Sequence, residues 1–275
     1  LMKKYNLIVP IAGQGQRMLD GGFEIPKPML VCGDRSILEW SMESIDYSEC
    51  NLVFVVREEH VKKFGIDSWL LQRWPEAKIE RTNGSKGAAD TARQGIYKFD
   101  DCSLPLIVYC PDVYFEPVYK PEPRDFEDEG FILTFKSNSP NYSYTIMSSI
   151  EPEKVRMTVE KVVPACSNLA SVGVYCFKRT DLFDKWALKY ILQTNKECHV
   201  CPIYNVIIND FCGVVKQRSI DKVHIMGTPA EFKFFEEVSF KYFENRKFAL
   251  CCDHSGFALK ERVRKIFDFW GIPKY

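Results

Sequence analysis

The chain has 275 residues, 46% of them hydrophobic and 27% charged. That allows one large folded domain, or one domain and a fragment, and excludes a largely disordered chain. Its 37 basic residues balance 37 acidic ones, so the composition points to neither a nucleic-acid nor a membrane partner, and any functional charge must be local.

The N-terminus has no apolar leader, and no apolar run approaches a membrane span. The 11 cysteines follow no framework spacing, which predicts reduced thiols and a cytoplasmic protein. Leu1 ahead of Met2 reads as a cloning remnant.

In chain order, the apolar run 5–9 predicts a buried strand. It leads into PIAGQGQRMLDGGFEIPKPML, Pro10 to Leu30. Ser36 and Glu39 form a capping box for a helix carrying Ile37, Leu38, Trp40 and Ile45. A buried strand at 52–56 precedes a helical stretch reaching about Trp74. A short strand around Ile79 leads to the small-residue stretch 84–89 and a helix to about Tyr97. The run 104–110 is another continuous strand, ending at Pro111-Asp112.

This alternation predicts a mostly parallel sheet with helices on both faces. Beyond Gly130 the pattern changes, and strand-like runs at 131–136, 143–149 and 155–163 have no helices between them. A core strand returns at 171–177, and Thr180 is expected to cap a helix through about Leu192. Near the end, a strand at 223–226 is followed by Thr228-Pro229-Ala230-Glu231, a helix start with a cap, an N1 proline and an N3 glutamate.

Three phosphate loops compete for the opening stretch. A Walker A loop would need GxxxxGK[ST], which does not occur. A dinucleotide fingerprint matches Gly13 and Gly15 but meets Met18 where the third glycine belongs. The turn Asp20-Gly21-Gly22 argues against a clean helix there, and Val55-Val56-Arg57 offers no acidic ribose ligand. The third reading is a nucleotide cradle, with glycines that let the backbone approach a polyphosphate. Arg17 then offers a planar fork, and Lys27, between two prolines, a stiffly placed ammonium.

The pattern A-G-x-G-x-R followed by P-K-P resembles the signature of the sugar-phosphate nucleotidyltransferases, with a GT-A-like α/β fold, and most closely a branch associated with bacterial capsule and surface polysaccharides. Later residues keep pace in order: Gly87-Ala88-Ala89, Asp112, Glu160-Lys161, Gly173-Val174-Tyr175 and Gly227-Thr228-Pro229. The resemblance spans roughly residues 3–245.

It implies transfer of a nucleotidyl group from a nucleoside triphosphate, with CTP or UTP favoured, to a sugar phosphate or other small phosphorylated acceptor. Ala12, Gly13, Gly15, Gly87 and Ala88 would hold the nucleotide, Arg17 the β- and γ-phosphates, and Lys27 the α-phosphate and the incoming phosphate. Asp112 would bind Mg²⁺. Lys161 would take the acceptor phosphate and Glu160 its hydroxyl or amine, with Gly173 beside them. A homo-oligomer is left open.

One departure stands out. Many relatives carry a second metal ligand just before the closing turn, where this chain reads Val223-His224-Ile225-Met226-Gly227. Asp221 is the nearest candidate and Asp210 a more distant one. The rival readings are a GT-A glycosyltransferase and a nucleotide-binding domain without turnover. Asp112 is followed by Val113-Tyr114 and so lacks the D-x-D motif common in glycosyltransferases. Cys198-His199-Val200-Cys201 has zinc-like spacing but no matching second half, and with Cys212 reads as free thiols near a surface turn.

Residues 246–275 are expected to begin a separate, truncated domain, or else to form a βα unit docked on the first domain. Their D-H-x-G-F-x-L-K stretch, Asp253 to Lys260, resembles the opening of B-type ribose-5-phosphate isomerases. About 30 residues bury too little to fold alone.

Overall fold

A computed structural model describes residues 3–244 of the protein. The expected second domain at 246–275 lies outside the described residues.

Strand β1 (Tyr5–Pro10) is followed by a five-residue helix, α1 (Gln16–Asp20). A small hairpin of β2 (Val31–Cys32) and β3 (Arg35–Ser36) then enters α2 (Ile37–Met42). Next come β4 (Cys50–Arg57), α3 (Glu58–Phe64), α4 (Ile66–Arg73), β5 (Lys78–Thr82) and α5 (Ala88–Gly95). Strands β6 (Leu106–Tyr109) and β7 (Val113–Glu116) close the first half. The second half runs through β8 (Gly130–Lys136), β9 (Ser143–Met147), β10 (Val155–Glu160) and β11 (Leu169–Phe177). It ends with α6 (Thr180–Gln193), α7 (Ile203–Phe211), β12 (Val215–Ser219), β13 (Lys222–Ile225) and α8 (Pro229–Glu244).

The main sheet is mixed. Strands β5, β4, β1 and β6 lie side by side and parallel, with Leu7 opposite Leu52 and Ile107. From β6 the sheet continues antiparallel into β11, which also pairs with β8 and β9. Helices cover both faces, as the alternation in the sequence predicts. Leu7, Val9, Phe54 and Val56 pack on one face with Leu38, Ile66 and Leu70 from the helices. Ile8, Val53 and Val55 point to the other, against Ala89, Ala92 and Ile96. These strands are hydrophobic on both sides because both faces are buried.

A third cluster joins the two ends of the described chain. Met18 and Leu30 from the opening stretch meet Trp40 of α2 and Met226, Phe232 and Phe235 near and within α8. Ile45 is buried but stands beyond α2, which stops at Met42.

Other elements depart from expectation in informative ways. The helical stretch after β4 breaks into two at Gly65. A short helix does follow the glycines of the opening loop, ending where Gly21 and Gly22 turn the chain. Thr180 does not cap α6, because the cap position is Arg179. Its hydroxyl instead donates to Leu104 O (3.0 Å) and accepts from buried Asn6 (2.9 Å), tying α6 to β1.

Candidate active site

The chain crosses from one side of β1 to the other between β5 and β6. At such a switch point the loops leaving the strand ends diverge and open a crevice. Here the loops after β1, β5 and β6 line a cavity of about 710 Å³, a size that suits a small ligand.

In the first loop Gly13 faces open space, since a Cβ there would meet nothing within 4 Å. Helix α1 carries Arg17 to the cavity, exposed and with no ion-pair or hydrogen-bond partner among the described residues. A guanidinium left free in this way is available for phosphate. Lys27 opens a single 3-10 turn between its two prolines. Its ammonium lies 3.0 Å from Asp112 Oδ2 and 3.3 Å from Gly227 O.

Asp112 sits between β6 and β7, where its carbonyl accepts from Met226 N at 2.8 Å. That bond draws the end of β13 and the start of α8 into the site. Cys110, also lining the cavity, has its thiol pushed up to about 12 by burial, with Asp112 adding to the effect. A thiol so protonated at neutral pH is not a nucleophile.

Gly87 has a positive φ of 135°, and a Cβ there would fall 2.7 Å from both N and O of Cys198. The Cys198 backbone is bonded on either side of it, to Lys86 O at 2.7 Å and from Ala89 N at 2.9 Å. Glycine is therefore required by the backbone behind the loop, independently of any base in front of it.

At the other end of the cavity, Glu160 closes β10 and accepts from Ser143 Oγ at 2.5 Å. Lys161 follows at a φ of 54°, a left-handed conformation costing a non-glycine residue on the order of 1 kcal/mol or more. Its Nζ lies 3.4 Å from Glu197 Oε2, and His199 Nε2 lies 3.3 Å from the same oxygen. Gly173 breaks the regular pairing of β11, where a Cβ would meet Cys110 O at 2.6 Å.

The residues expected to hold nucleotide and acceptor, together with Arg17, Lys27 and Asp112, thus line one cavity. Asp221 does not. It precedes β13, whose register puts Lys222 opposite Glu116 and Ile225 opposite Val113. Asp112 adjoins the other end of that strand, bonded to Met226, so Asp221, five residues back, is displaced along it by roughly 17 Å at a strand's rise per residue. Asp210 is also remote, paired with Lys189 at 3.0 Å between α7 and α6.

The cysteines of the zinc-like motif are free thiols, as expected, and Cys212 is exposed, but the placement of the other two is corrected. Cys198 and Cys201 are buried rather than near the surface, and burial pushes both thiols up. Among the described residues no three His, Cys, Asp or Glu side chains gather as a metal site.

Sequence reasoning missed several residues of the cavity. Arg57 and Lys86 stand at or after the C-terminal ends of β4 and β5, a position that strand-end reasoning could have flagged. Arg57 Nε donates to Ala12 O at 3.1 Å and so braces the first loop. Glu231, read as the N3 member of a capping box, accepts through Oε1 from the Tyr142 hydroxyl at 3.0 Å. Only its backbone N donates to Thr228 Oγ1, at 3.3 Å.

The oxygens around Asp112 suit a hard divalent cation such as Mg²⁺. A Cβ built on Gly227 would lie 3.3 Å from Asp112 Oδ2 and 3.1 Å from Glu231 Oε2. The glycine keeps a small space open between two carboxylates.

Comparison with solved structures finds the same fold. A nucleoside-diphosphate-sugar pyrophosphorylase from Vibrio cholerae superposes with a TM-score of 0.74 at 21% identity, over 84% of this chain and 99% of that one. The inositol-1-phosphate CTP transferase from T. maritima gives 0.68 at 14%, over 89% and 98%. The CTP:phosphocholine cytidylyltransferase from Streptococcus pneumoniae gives 0.65 at 11%, over 86% and 99%. No curated protein sequence matches the chain. No helix of the described residues is long and apolar enough to cross a membrane. The model of the nucleotidyl transferase family matches residues 7–200, through the opening loop, Lys27, Asp112 and the Glu160-Lys161 pair, and the chain belongs to that family of enzymes.

Proposed function

We propose that the protein joins a nucleoside triphosphate to a sugar phosphate or a similar small phosphorylated acceptor and releases pyrophosphate. One observation carries this reading: the unpartnered guanidinium of Arg17 and the ammonium of Lys27 face one cavity with Asp112 at the strand-end crevice.

An oxygen of the acceptor phosphate attacks the α-phosphorus, and the bond from that phosphorus to the β-bridging oxygen breaks. The attacking phosphate is already ionised, so no general base is needed. Catalysis then consists of positioning and of neutralising charge on a crowded polyphosphate. Lys27 bridges the α-phosphate and the incoming phosphate, and Arg17 holds the β- and γ-phosphates that depart. Ala12, Gly13, Gly15, Gly87 and Ala88 form the nucleotide side. Mg²⁺, held by Asp112, would supply further charge neutralisation on the triphosphate.

Lys161 receives the acceptor's phosphate. Glu160, Glu197 and His199 around it offer hydrogen bonds suited to hydroxyl groups, which supports a hydroxyl-rich acceptor. We assign CTP or UTP as donor, and production of capsule or surface-polysaccharide precursors in the cytoplasm as the role.

The test is a pyrophosphate-release assay pairing each of the four triphosphates with sugar phosphates, alditol phosphates, phosphocholine and phosphorylated amino acids. Release is expected with a pyrimidine triphosphate and a hydroxyl-rich acceptor. Tight triphosphate binding with no release for any pair would instead identify a binding domain.

A further inference from the structure

We infer that Glu231 supplies the second carboxylate of the divalent-metal site, opposite Asp112. The inference rests on the nucleotidyl-transfer reading for the metal's role, but not for the geometry. Many relatives place this ligand just before the closing turn, and here that segment sends only the apolar Ile225 to the cavity, while His224 stacks on Tyr114 at 5.9 Å. Asp221 and Asp210 lie outside the cavity.

Glu231 enters from the far side of the same turn, on the first turn of α8. Gly227 has no side chain to fill the gap, and a Cβ at that one point would touch both Asp112 Oδ2 and Glu231 Oε2. Tyr142 donates to the other oxygen, Oε1. An outer hydrogen bond of this kind fixes the orientation of a ligating carboxylate. A metal here would share Asp112 Oδ2 with the Lys27 ammonium, 3.0 Å away.

Mn²⁺ serves as the probe, titrated by electron paramagnetic resonance into the full chain without nucleotide. Asp112→Asn and Glu231→Gln should each weaken binding by about tenfold or more, the loss seen when metal-site residues are changed. Asp221→Asn should bind as the unaltered protein does. Glutamine keeps both the helix-start propensity and an acceptor for Tyr142, and circular dichroism melts verify that each variant folds. Unchanged Mn²⁺ affinity in Glu231→Gln overturns the inference, as does absence of binding by the unaltered protein up to millimolar Mn²⁺. The readout does not depend on turnover. A failed pyrophosphate assay beside intact Mn²⁺ results would remove the catalytic reading and leave the metal site standing.

Discussion

Lys27 tests the chemistry most directly, because its structural and catalytic contributions separate. Its pair with Asp112 is 20% and 42% exposed at the two side chains, and a partly solvated pair contributes at most about 1 kcal/mol. Lys27→Met should therefore leave the melting temperature nearly unchanged while lowering kcat about 10²- to 10³-fold, the loss typical of one electrostatic donor. Near-normal steady-state kinetics would remove Lys27 from the mechanism. His60 offers a separate test on stability. Burial first, and then Arg57, hold its imidazole below the ordinary 6.5, and its Nδ1 has no hydrogen-bond partner. The unfolded chain therefore binds the proton more readily than the fold does. Stability from this residue is present above pH 6.5 and is lost as pH falls through the lower folded value. His60→Leu should flatten the fall in melting temperature between about pH 7 and 5, and parallel curves for the two proteins would refute it. At this scale Arg17 and Lys27 were singled out by their spacing from the glycines, and Asp112 by the family resemblance at a strand end. Arg57 could have been flagged by its place at a strand end, but its bond to Ala12, 45 residues away, could not, and neither could that of Glu231 to Tyr142, 89 residues away.

The elements were legible wherever burial on both faces makes a strand continuously apolar, as in β1, β4 and β6. They were hidden where an edge or a short link decides the structure. Strand β12 reads Val215-Lys216-Gln217-Arg218-Ser219, with almost no apolar signal, yet it pairs in parallel with β8 along its whole length. Strand β7 begins directly after Asp112 and disappears into the expected end of the strand before it. Helix α5 shows how tightly an element can be set. It approaches the sheet at Gly95, where a Cβ would collide with Val55 Cγ2 and lie 2.7 Å from Ile8 Cδ1. Gly95→Ala raises helix propensity, but overpacking should outweigh that gain. A net loss of about 1–3 kcal/mol is expected, measured by urea denaturation. Equal or greater stability would show that α5 can move away from the sheet without cost.

Over the whole molecule, the site depends on contact between residues near the two ends of the described chain. The opening loop carries the cavity-lining cations Arg17 and Lys27, and α8 covers its back through the third cluster. This long-range closure explains why the sequence identified the loop and the terminal helix but not their dependence on one another. Phe232, 4% exposed, meets Phe23 edge-on at 5.5 Å between ring centres and packs among Met18 and Trp40. Phe232→Ala should cost about 3–5 kcal/mol, as large-to-small changes in a core do. Stability alone would not localise the effect, so Phe183→Ala provides a matched comparison. Phe183 is equally buried but belongs to the second cluster, on the α5 and α6 side of the sheet. Hydrogen exchange should separate the two variants. The amides of Met18 and Phe23, bonded within the loop to Gly15 and Met18, should lose protection in Phe232→Ala and retain it in Phe183→Ala at equal residual stability. The Michaelis constant for the triphosphate should rise in Phe232→Ala alone, because Arg17 is then held less firmly. Equal loosening of the loop in both variants would mean that α8 supports the fold as a whole rather than the nucleotide cradle.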